Sequence, residues 1–113
     1  MTDSFFISQP MSGREEEEIL RERANISAAI NEMFDNPYIL DSFLTGAKDV
    51  NPLVCLGHAI TILSKANCAI FVEGWELSRG CCVEYTICLK YNIPRYFAIK
   101  DEKGVYHFIP DTF

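Results

Sequence analysis

The sequence predicts a single α/β domain in which helices cover both faces of a parallel sheet. Segments with the apolar pattern of strands alternate with segments of helical periodicity, in the order strand, helix, strand, helix, strand, helix, strand. The chain has 113 residues, of which 49% are hydrophobic. That length and composition are typical of one globular domain with its own core.

The first half of the chain supplies two predicted strands and one predicted helix. An apolar run at residues 5–8 predicts a buried strand. Ser12 and Glu15 fit the Ser-x-x-Glu capping box, so Ser12 is predicted to be the N-cap of an amphipathic helix that reaches about Phe34. Residues 38–40 are expected to form a second, short strand.

A helix and a central strand are predicted next. Residues 41–50 are mixed in composition and are expected to be mainly loop. Asn51, followed by a proline, predicts the N-cap of a second helix that ends at about Lys65. The uninterrupted apolar run at residues 68–72 is typical of a strand that is covered on both faces.

The last third of the chain completes the alternation. Ser78 can cap a third helix that runs from Arg79 to about Tyr91. Residues 96–99 predict another strand, and residues 105–109 are expected either to close a hairpin or to add an edge strand.

Composition excludes several classes of partner. The chain carries 16 acidic and 10 basic side chains and a net charge of −6. This balance argues against binding to nucleic-acid polymers or anionic membranes, which require a basic face. No stretch approaches the roughly 18 uncharged apolar residues of a membrane span, and the start lacks the pattern of a signal peptide. We therefore expect a cytoplasmic protein that makes no membrane contact.

The cysteines do not predict a metal site. The five cysteines form no Cys-x-x-Cys pair and no Cys/His ligand spacing. Most of them fall within apolar runs, which indicates reduced thiols packed in the core. We expect neither a metal nor any other cofactor.

Glu84 is the first candidate for chemistry. It lies on the predicted third helix, and Ile87, Cys88 and Tyr91 follow it at the spacing of an apolar stripe that should face the sheet. A carboxylate on such a stripe is out of place unless it lines a cavity or has a partner. The functional interpretation is a nucleophile or base at the mouth of a site. The alternative is a glutamate tilted to the helix edge, either solvated or paired with a basic group.

Two loops provide candidate ligand-binding residues at the carboxyl ends of the strands, where α/β sheets bind ligands. Ser78, Arg79 and Gly80 open a helix and could bind an anion, or they could form a plain cap with a glycine chosen for packing. The loop after the first strand could cradle a sugar or phosphate, or it could be an ordinary capped connection. Its candidate residues are Ser8, Gln9, Pro10, Met11, Ser12, Gly13 and Arg14.

Two further side chains are weaker candidates. Trp75 could stack on a nucleobase, although a single tryptophan in a turn is more often a packing lid. His58, on the second predicted helix, could transfer a proton, although a single histidine is usually an ordinary hydrogen-bonded residue.

Three segments together resemble a family of small proteins of unknown function within the nucleoside 2-deoxyribosyltransferase-like superfamily. These segments are Pro-Met-Ser-Gly-Arg at residues 10–14, the stretch at residues 66–75, and Ser-Arg-Gly-Cys at residues 78–81 with Glu84 three residues later. The superfamily also contains the 2′-deoxynucleoside 5′-phosphate N-hydrolases. The resemblance covers about residues 5–94, and its most specific part is Gly-Trp-x-x-Ser-Arg-Gly-Cys-x-x-Glu.

The resemblance implies a flavodoxin-like three-layer sandwich with four or five mainly parallel strands, commonly assembled as a homodimer or a larger homo-oligomer. It implies a nucleoside or nucleotide ligand. Glu84 matches the glutamate that attacks the anomeric carbon of deoxyribose, displaces the base and passes the sugar to water or to another base. Ser78 matches the serine that contacts the 5′-phosphate in the hydrolases. The resemblance therefore favours a phosphorylated ligand, which Arg79 would help to hold.

The chain departs from the active relatives at three positions. Phe5 and Phe6 stand on the first strand where those enzymes carry a tyrosine, and Gln9 stands where they carry a glycine. A catalytic aspartate of those enzymes falls near Ala59, next to His58. These departures support an alternative, which is a protein that binds or sequesters a nucleotide without cleaving it.

Overall fold

The computed structural model describes residues 3–44, 46 and 49–111. Five strands and three helices alternate along them, and a short 3-10 turn at Trp75–Leu77 precedes the last helix. In chain order the elements are β1 (Ser4–Ser8), α1 (Glu16–Met33), β2 (Tyr38–Ile39), α2 (Pro52–Leu63), β3 (Cys68–Val72), α3 (Arg79–Lys90), β4 (Arg95–Lys100) and β5 (Tyr106–Pro110). The α/β class and the order of the predicted elements are confirmed.

The sheet is mixed, with the strand order β2-β1-β3-β4-β5. β1 pairs in parallel with β2 and with β3, and β3 pairs in parallel with β4, whereas β5 runs antiparallel to β4. The prediction of a mainly parallel sheet is therefore corrected. The physical reason is the short connection between β4 and β5, since so few residues can join only antiparallel neighbours. Asp101 organises this turn by accepting hydrogen bonds from the backbone of Lys103 and Val105.

The alternation of side chains along β1 separates two cores. Phe5 and Ile7 point to the face covered by α1, where they pack with Ile26 and Ile30. Phe6 points to the opposite face, where its cluster includes Leu63 of α2 and Cys88 of α3. β3 lies between β1 and β4 and is buried at all five positions, as its uninterrupted apolar run predicts.

The predicted capping box at the start of α1 is wrong. Ser12 is exposed, Gly13 has a φ of 76°, and the backbone N–H of Arg14 closes a turn on the carbonyl of Met11. The helix begins only at Glu16, and Glu15 is an N-cap without a side-chain hydrogen bond. A left-handed residue at position 13 cannot belong to the first helical turn, so Ser12 lies outside the helix.

The caps predicted for the other two helices are confirmed. The side chain of Asn51 accepts a hydrogen bond from the backbone of Leu53, and Pro52 follows it at the first helical position. The Ser78 hydroxyl accepts from the N–H of Cys81 at the start of α3. In the described part of the chain, no helix has both the length and the hydropathy to cross a membrane.

Candidate functional site

Glu84 is a buried carboxyl whose hydrogen-bond partner is a hydroxyl rather than a cation. Its residue is 7% exposed, and Ser8 Oγ donates a hydrogen bond of 2.6 Å to Oε1. Burial raises the pKa of Glu84 to about 7, while the Ser8 hydrogen bond and the charge of Arg23 act in the opposite direction. Near neutral pH the group is therefore present both as a carboxylate and as a carboxylic acid.

The helix and the sheet together explain why these two side chains meet. Glu84 shares a face of α3 with Cys81 and Cys88, and all three are buried. Ser8 is in phase with Phe6 on β1, so its side chain points to the α3 face at the carboxyl end of the strand. Tyr91, which was predicted to extend the stripe, is 77% exposed because α3 ends at Lys90.

The second carboxylate oxygen of Glu84 keeps an opening to solvent. Oε2 accepts no hydrogen bond from the described residues. Every fully buried side-chain nitrogen or oxygen among those residues has a partner. Oε2 is therefore not fully enclosed by the described residues.

Cys81 extends this small cluster towards the start of α3. Burial raises the pKa of its thiol, and the hydroxyls of Ser78 and Ser8 act in the opposite direction. The cysteine is free and buried, as are Cys68 and Cys88. At neutral pH the thiol therefore stays protonated, and Cys81 packs beside Ser8 without competing as a nucleophile.

The carboxylate of Glu22 on α1 binds two residues of the loop after β1. Glu22 Oε1 accepts from the Gln9 amide at 2.8 Å and from Arg14 Nη1 at 2.9 Å. Arg14 also binds Glu18 at 2.9 Å and the carbonyl of Pro10 at 2.8 Å. Two carboxylates thus neutralise Arg14. Its charge would therefore contribute little to binding a phosphate at this loop.

Arg23 is a functional candidate that was not predicted from the sequence. The residue is 8% exposed; its Nη2 donates to Ser42 Oγ at 2.7 Å, and its Nη1 contacts Gln9 Oε1 at 3.3 Å. Its position on the apolar stripe of α1, between Ile19 and Ile26, is the signal that could have found it. Glu84 carries the same signal, since both are charged residues in a row that should face the sheet.

The candidate ligand-binding residues Ser78, Arg79 and Gly80 lie at the start of α3, as predicted. Their role in binding a ligand stays a prediction. Ser78 is half-buried and caps the helix, while Arg79 is exposed at its first position. A Cβ atom on Gly80 would lie 3.9 Å from Leu56 Cδ1, which is ordinary van der Waals contact. Packing alone therefore does not demand a glycine at this position.

Trp75 is engaged in an aromatic cluster. Its ring stacks on Tyr85 with centroids 4.5 Å apart and on Phe97 at 5.7 Å, and it meets Phe71 edge to face at 5.5 Å. These contacts favour the interpretation as a packing lid over that of a platform for a nucleobase. His58 is half-buried on α2, and its proposed part in proton transfer stays a prediction.

A cavity of about 390 Å³ opens on the α1 side of the sheet. It is lined by Glu22, Val72, Glu73, Lys100 and Tyr106, at the carboxyl ends of β3 and β4 and the start of β5. Burial raises the pKa of the Tyr106 hydroxyl, and Lys100 Nζ lies 5.6 Å from the centre of that ring. Glu84 is not part of the lining of this cavity, so the predicted placement of Glu84 at the mouth of a hollow stays a prediction.

No group of three or more His, Cys, Asp or Glu side chains in the described ranges is arranged to hold a metal ion.

Comparison of the chain with family models, with curated proteins and with solved structures gave no significant match. The resemblance to the nucleoside 2-deoxyribosyltransferase-like superfamily therefore rests on the motifs in the sequence alone.

Proposed function

We propose that this chain is a nucleotide-directed N-glycosidase or deoxyribosyltransferase-like protein that cleaves the base–sugar bond of a (deoxy)nucleoside 5′-monophosphate. The observation that carries the proposal is the buried carboxyl of Glu84, bound by Ser8 at the carboxyl end of β1. Ligands of α/β sheets bind at this end of the strands. Structural carboxylates in such a position are normally neutralised by a cation, whereas a hydroxyl leaves the group free to change its charge.

The chemistry is a double displacement. Ionised Glu84 Oε2, the oxygen without a protein partner, attacks the anomeric carbon while the bond from that carbon to the base nitrogen breaks. The base leaves with the electron pair and takes a proton from the donor, for which His58 is the candidate, and the nucleophile of the second step returns a proton to that donor. Water, or the nitrogen of a second base, then attacks the same carbon and releases the carboxylate of Glu84. With water the net reaction converts the nucleotide and one water molecule to a free base and a sugar phosphate.

The other groups at the site are assigned to binding. Ser78, Arg79 and Gly80 at the start of α3 offer backbone N–H groups and a positive charge to the 5′-phosphate. The loop from Ser8 to Arg14 lines the sugar side, and His58 is the candidate for a proton donor. The proposal includes a flavodoxin-like three-layer arrangement, a cytoplasmic location and assembly as a homodimer or larger homo-oligomer.

A catalytically silent nucleotide-binding protein is the second candidate, and specific residues favour it. Phe5 and Phe6 are both buried in the cores on either side of the sheet, so β1 offers no phenolic hydroxyl to the sugar. Ala59 supplies no carboxylate on α2. A protein that retains the ligand-binding loop after β1 and the start of α3 but lacks these groups would bind or sequester a nucleotide rather than cleave it.

One experiment distinguishes the two candidates. The protein is incubated with a panel of ribo- and deoxyribonucleoside monophosphates, and free base is measured by chromatography. Base released by the wild type and by Glu76→Gln, an exposed control carboxylate, but not by Glu84→Gln supports the enzyme. Thermal stabilisation by a nucleotide without release supports the binding protein. If neither occurs with any nucleotide, both candidates are wrong.

A further inference from the structure

Arg23 is a buried cation without a carboxylate at ion-pair distance in the described ranges. Its two recorded partners, Ser42 and Gln9, are both neutral. A guanidinium that leaves water loses a large solvation free energy, which neutral hydrogen bonds return only in part. A charge of this kind is retained either for a structural reason or because a negative group joins it when a ligand binds.

The neighbouring negative charges do not neutralise Arg23 directly. Asp41 and Glu84 both act on it through longer-range electrostatics. The Asp41 side chain belongs to an exposed residue, so solvent and salt screen its charge. Glu84 carries only part of a negative charge near neutral pH, because burial raises its pKa to about 7.

The guanidinium of Arg23 has unused capacity to donate. It carries five N–H donors, and only Nη1 and Nη2 have a recorded acceptor among the described residues. Because no fully buried side-chain nitrogen of those residues lacks a partner, Nε retains an opening to solvent. The guanidinium therefore has a donor that none of the described residues uses.

We infer that Arg23 and Ser42 form an oxyanion-binding subsite for the phosphate group of a small-molecule ligand, next to the Ser8–Glu84 pair. The 3.3 Å contact with Gln9 Oε1 is the weaker of the two contacts and is the one that a phosphate oxygen would displace. Gln9 would stay in place, since its amide nitrogen is anchored to the carbonyl of Ile19 and to Glu22. Ser42 would keep its bond to Arg23 and donate its own proton to the phosphate.

The other arginines near the site are less suited to this role. Arg14 is paired with two carboxylates, and Arg79 lies exposed at the start of α3. A charge-assisted hydrogen bond is stronger where water is excluded, and among these three arginines only Arg23 combines burial with the absence of a counter-ion. The inference rests on the proposed function and deepens it by adding a buried arginine of α1 to the groups that hold the phosphate, and it does not require that any bond is cleaved.

The first test is titration of the protein with inorganic phosphate, followed by calorimetry and by thermal unfolding at constant ionic strength set with sodium chloride. We expect wild type and Arg21→Met to bind phosphate equally, because Arg21 is an exposed arginine of the same helix. Arg23→Met should bind about tenfold more weakly or worse, the effect of removing a charged donor. Arg79→Met is measured beside them, because the start of α3 is the other candidate for holding the phosphate.

Three results would overturn the inference. They are an absence of phosphate binding by the wild type, equal binding by wild type and Arg23→Met, and a loss confined to Arg79→Met. Ser42→Ala and Arg23→Lys guard against misfolding of Arg23→Met. The first keeps the charge but removes the donor hydroxyl, and the second keeps the charge but not the planar fork, so both should weaken binding while the fold is preserved.

A second measurement separates this inference from the proposed function. A nucleoside and its 5′-monophosphate are titrated into wild type and Arg23→Met. Loss of affinity in the variant should be confined to the monophosphate. If no base is released but phosphate binding still depends on Arg23, the proposed glycosidase activity is wrong and the phosphate subsite stands. If base is released and Arg23→Met binds phosphate as the wild type does, the subsite is wrong and the proposed activity stands.

Discussion

Ser8 Oγ and Glu84 Oε1 lie 2.6 Å apart although 76 positions separate the two residues in the chain. The hydrogen bond joins the carboxyl end of β1 to the second turn of α3. It is short, as expected when a hydroxyl donates to a carboxylate in a site from which water is mostly excluded. The charge state of Glu84 therefore depends on a residue that belongs to a different element of the fold.

Removal of the Ser8 hydroxyl should raise the pKa of Glu84 above its value of about 7. The hydroxyl donates to the carboxylate and so stabilises the ionised form, whereas alanine leaves burial unopposed at that oxygen. A hydrogen bond to a charged group contributes about 1.5–3 kcal/mol, so the pKa should rise by about one to two in Ser8→Ala. The measurement is a carbon-13 NMR titration of the Glu84 carboxyl.

Ser4→Ala is the matched control because Ser4 lies at the other end of the same strand. It should leave the titration of Glu84 unchanged. If Ser8→Ala titrates as the wild type does, the hydrogen bond between Ser8 and Glu84 is not a determinant of the charge of the site.

Glu84 should make the protein less stable as pH rises from about 4.5 to about 7. Its pKa is raised from the ordinary 4.5 to about 7 in the folded state, so the folded protein binds the proton more tightly than the unfolded chain. The stabilisation from this proton is complete below the unfolded pKa and is lost as pH rises through the folded one. Between pH 5 and pH 8 the loss should be about 2 kcal/mol.

Glu84→Gln isolates this effect, since its amide does not titrate. Urea unfolding of both proteins at pH 5 and pH 8 gives the free energies of unfolding. The difference between the two proteins should shift in favour of Glu84→Gln by about 2 kcal/mol over that interval. Glu76→Gln, at an exposed position, should follow the wild type at both pH values. A constant difference between wild type and Glu84→Gln would mean that Glu84 ionises at its ordinary pKa.

The helix starts predict opposite outcomes for two substitutions at predicted caps. The Asn51 side chain accepts from the backbone of Leu53, so Asn51→Ala should lower the free energy of unfolding by about 1 kcal/mol. Ser12 lies outside α1 and is exposed, so Ser12→Ala should leave it within about 0.5 kcal/mol of the wild type. Urea unfolding measures both. An equal loss of unfolding free energy in the two variants would mean that Ser12 caps α1, as the sequence predicts.

Local signals predicted most of the fold because the elements carry their own patterns. The five apolar residues of β3, the Asn51-Pro52 pair and Ser78 each indicated an element that the structure contains. The start of α1 was misjudged because Gly13 adopts a positive φ, and a capping box cannot be distinguished in sequence from a serine and a glutamate on either side of such a turn. The direction of β5 follows from its short connection to β4, and it matches the hairpin that the sequence offered as one of two alternatives for residues 105–109.

The candidate site was predicted only in part because its contacts are long-range. A carboxylate on an apolar stripe identified Glu84, but nothing local to α3 could name Ser8 as its partner. Arg23 carried the same kind of signal on α1 and was overlooked among the many charges of that helix. Its partner Ser42 lies in a segment without periodicity, where the sequence offers no basis for predicting an orientation.

Asp111 should be a major determinant of stability at the end of the described chain. Its Oδ2 accepts from Arg95 Nε at 2.8 Å and from the Tyr85 hydroxyl at 2.7 Å, and the Arg95 and Asp111 side chains are 9% and 11% exposed. Both residues are half-buried, and a hydrogen bond to a charged group contributes about 2 kcal/mol. Asp111→Ala should lose about that much in urea unfolding, whereas Tyr85→Phe, which loses only one neutral donor, should lose about 1 kcal/mol.

The two losses should not be additive, because both variants remove a bond to the same oxygen. The double variant Tyr85→Phe with Asp111→Ala should therefore be nearly as stable as Asp111→Ala alone. Glu102→Ala, at an exposed position in the turn before β5, is the control and should unfold as the wild type does. If Asp111→Ala loses no more than Glu102→Ala, then the contact with Arg95 does not stabilise the packing of this last segment against α3 and β4.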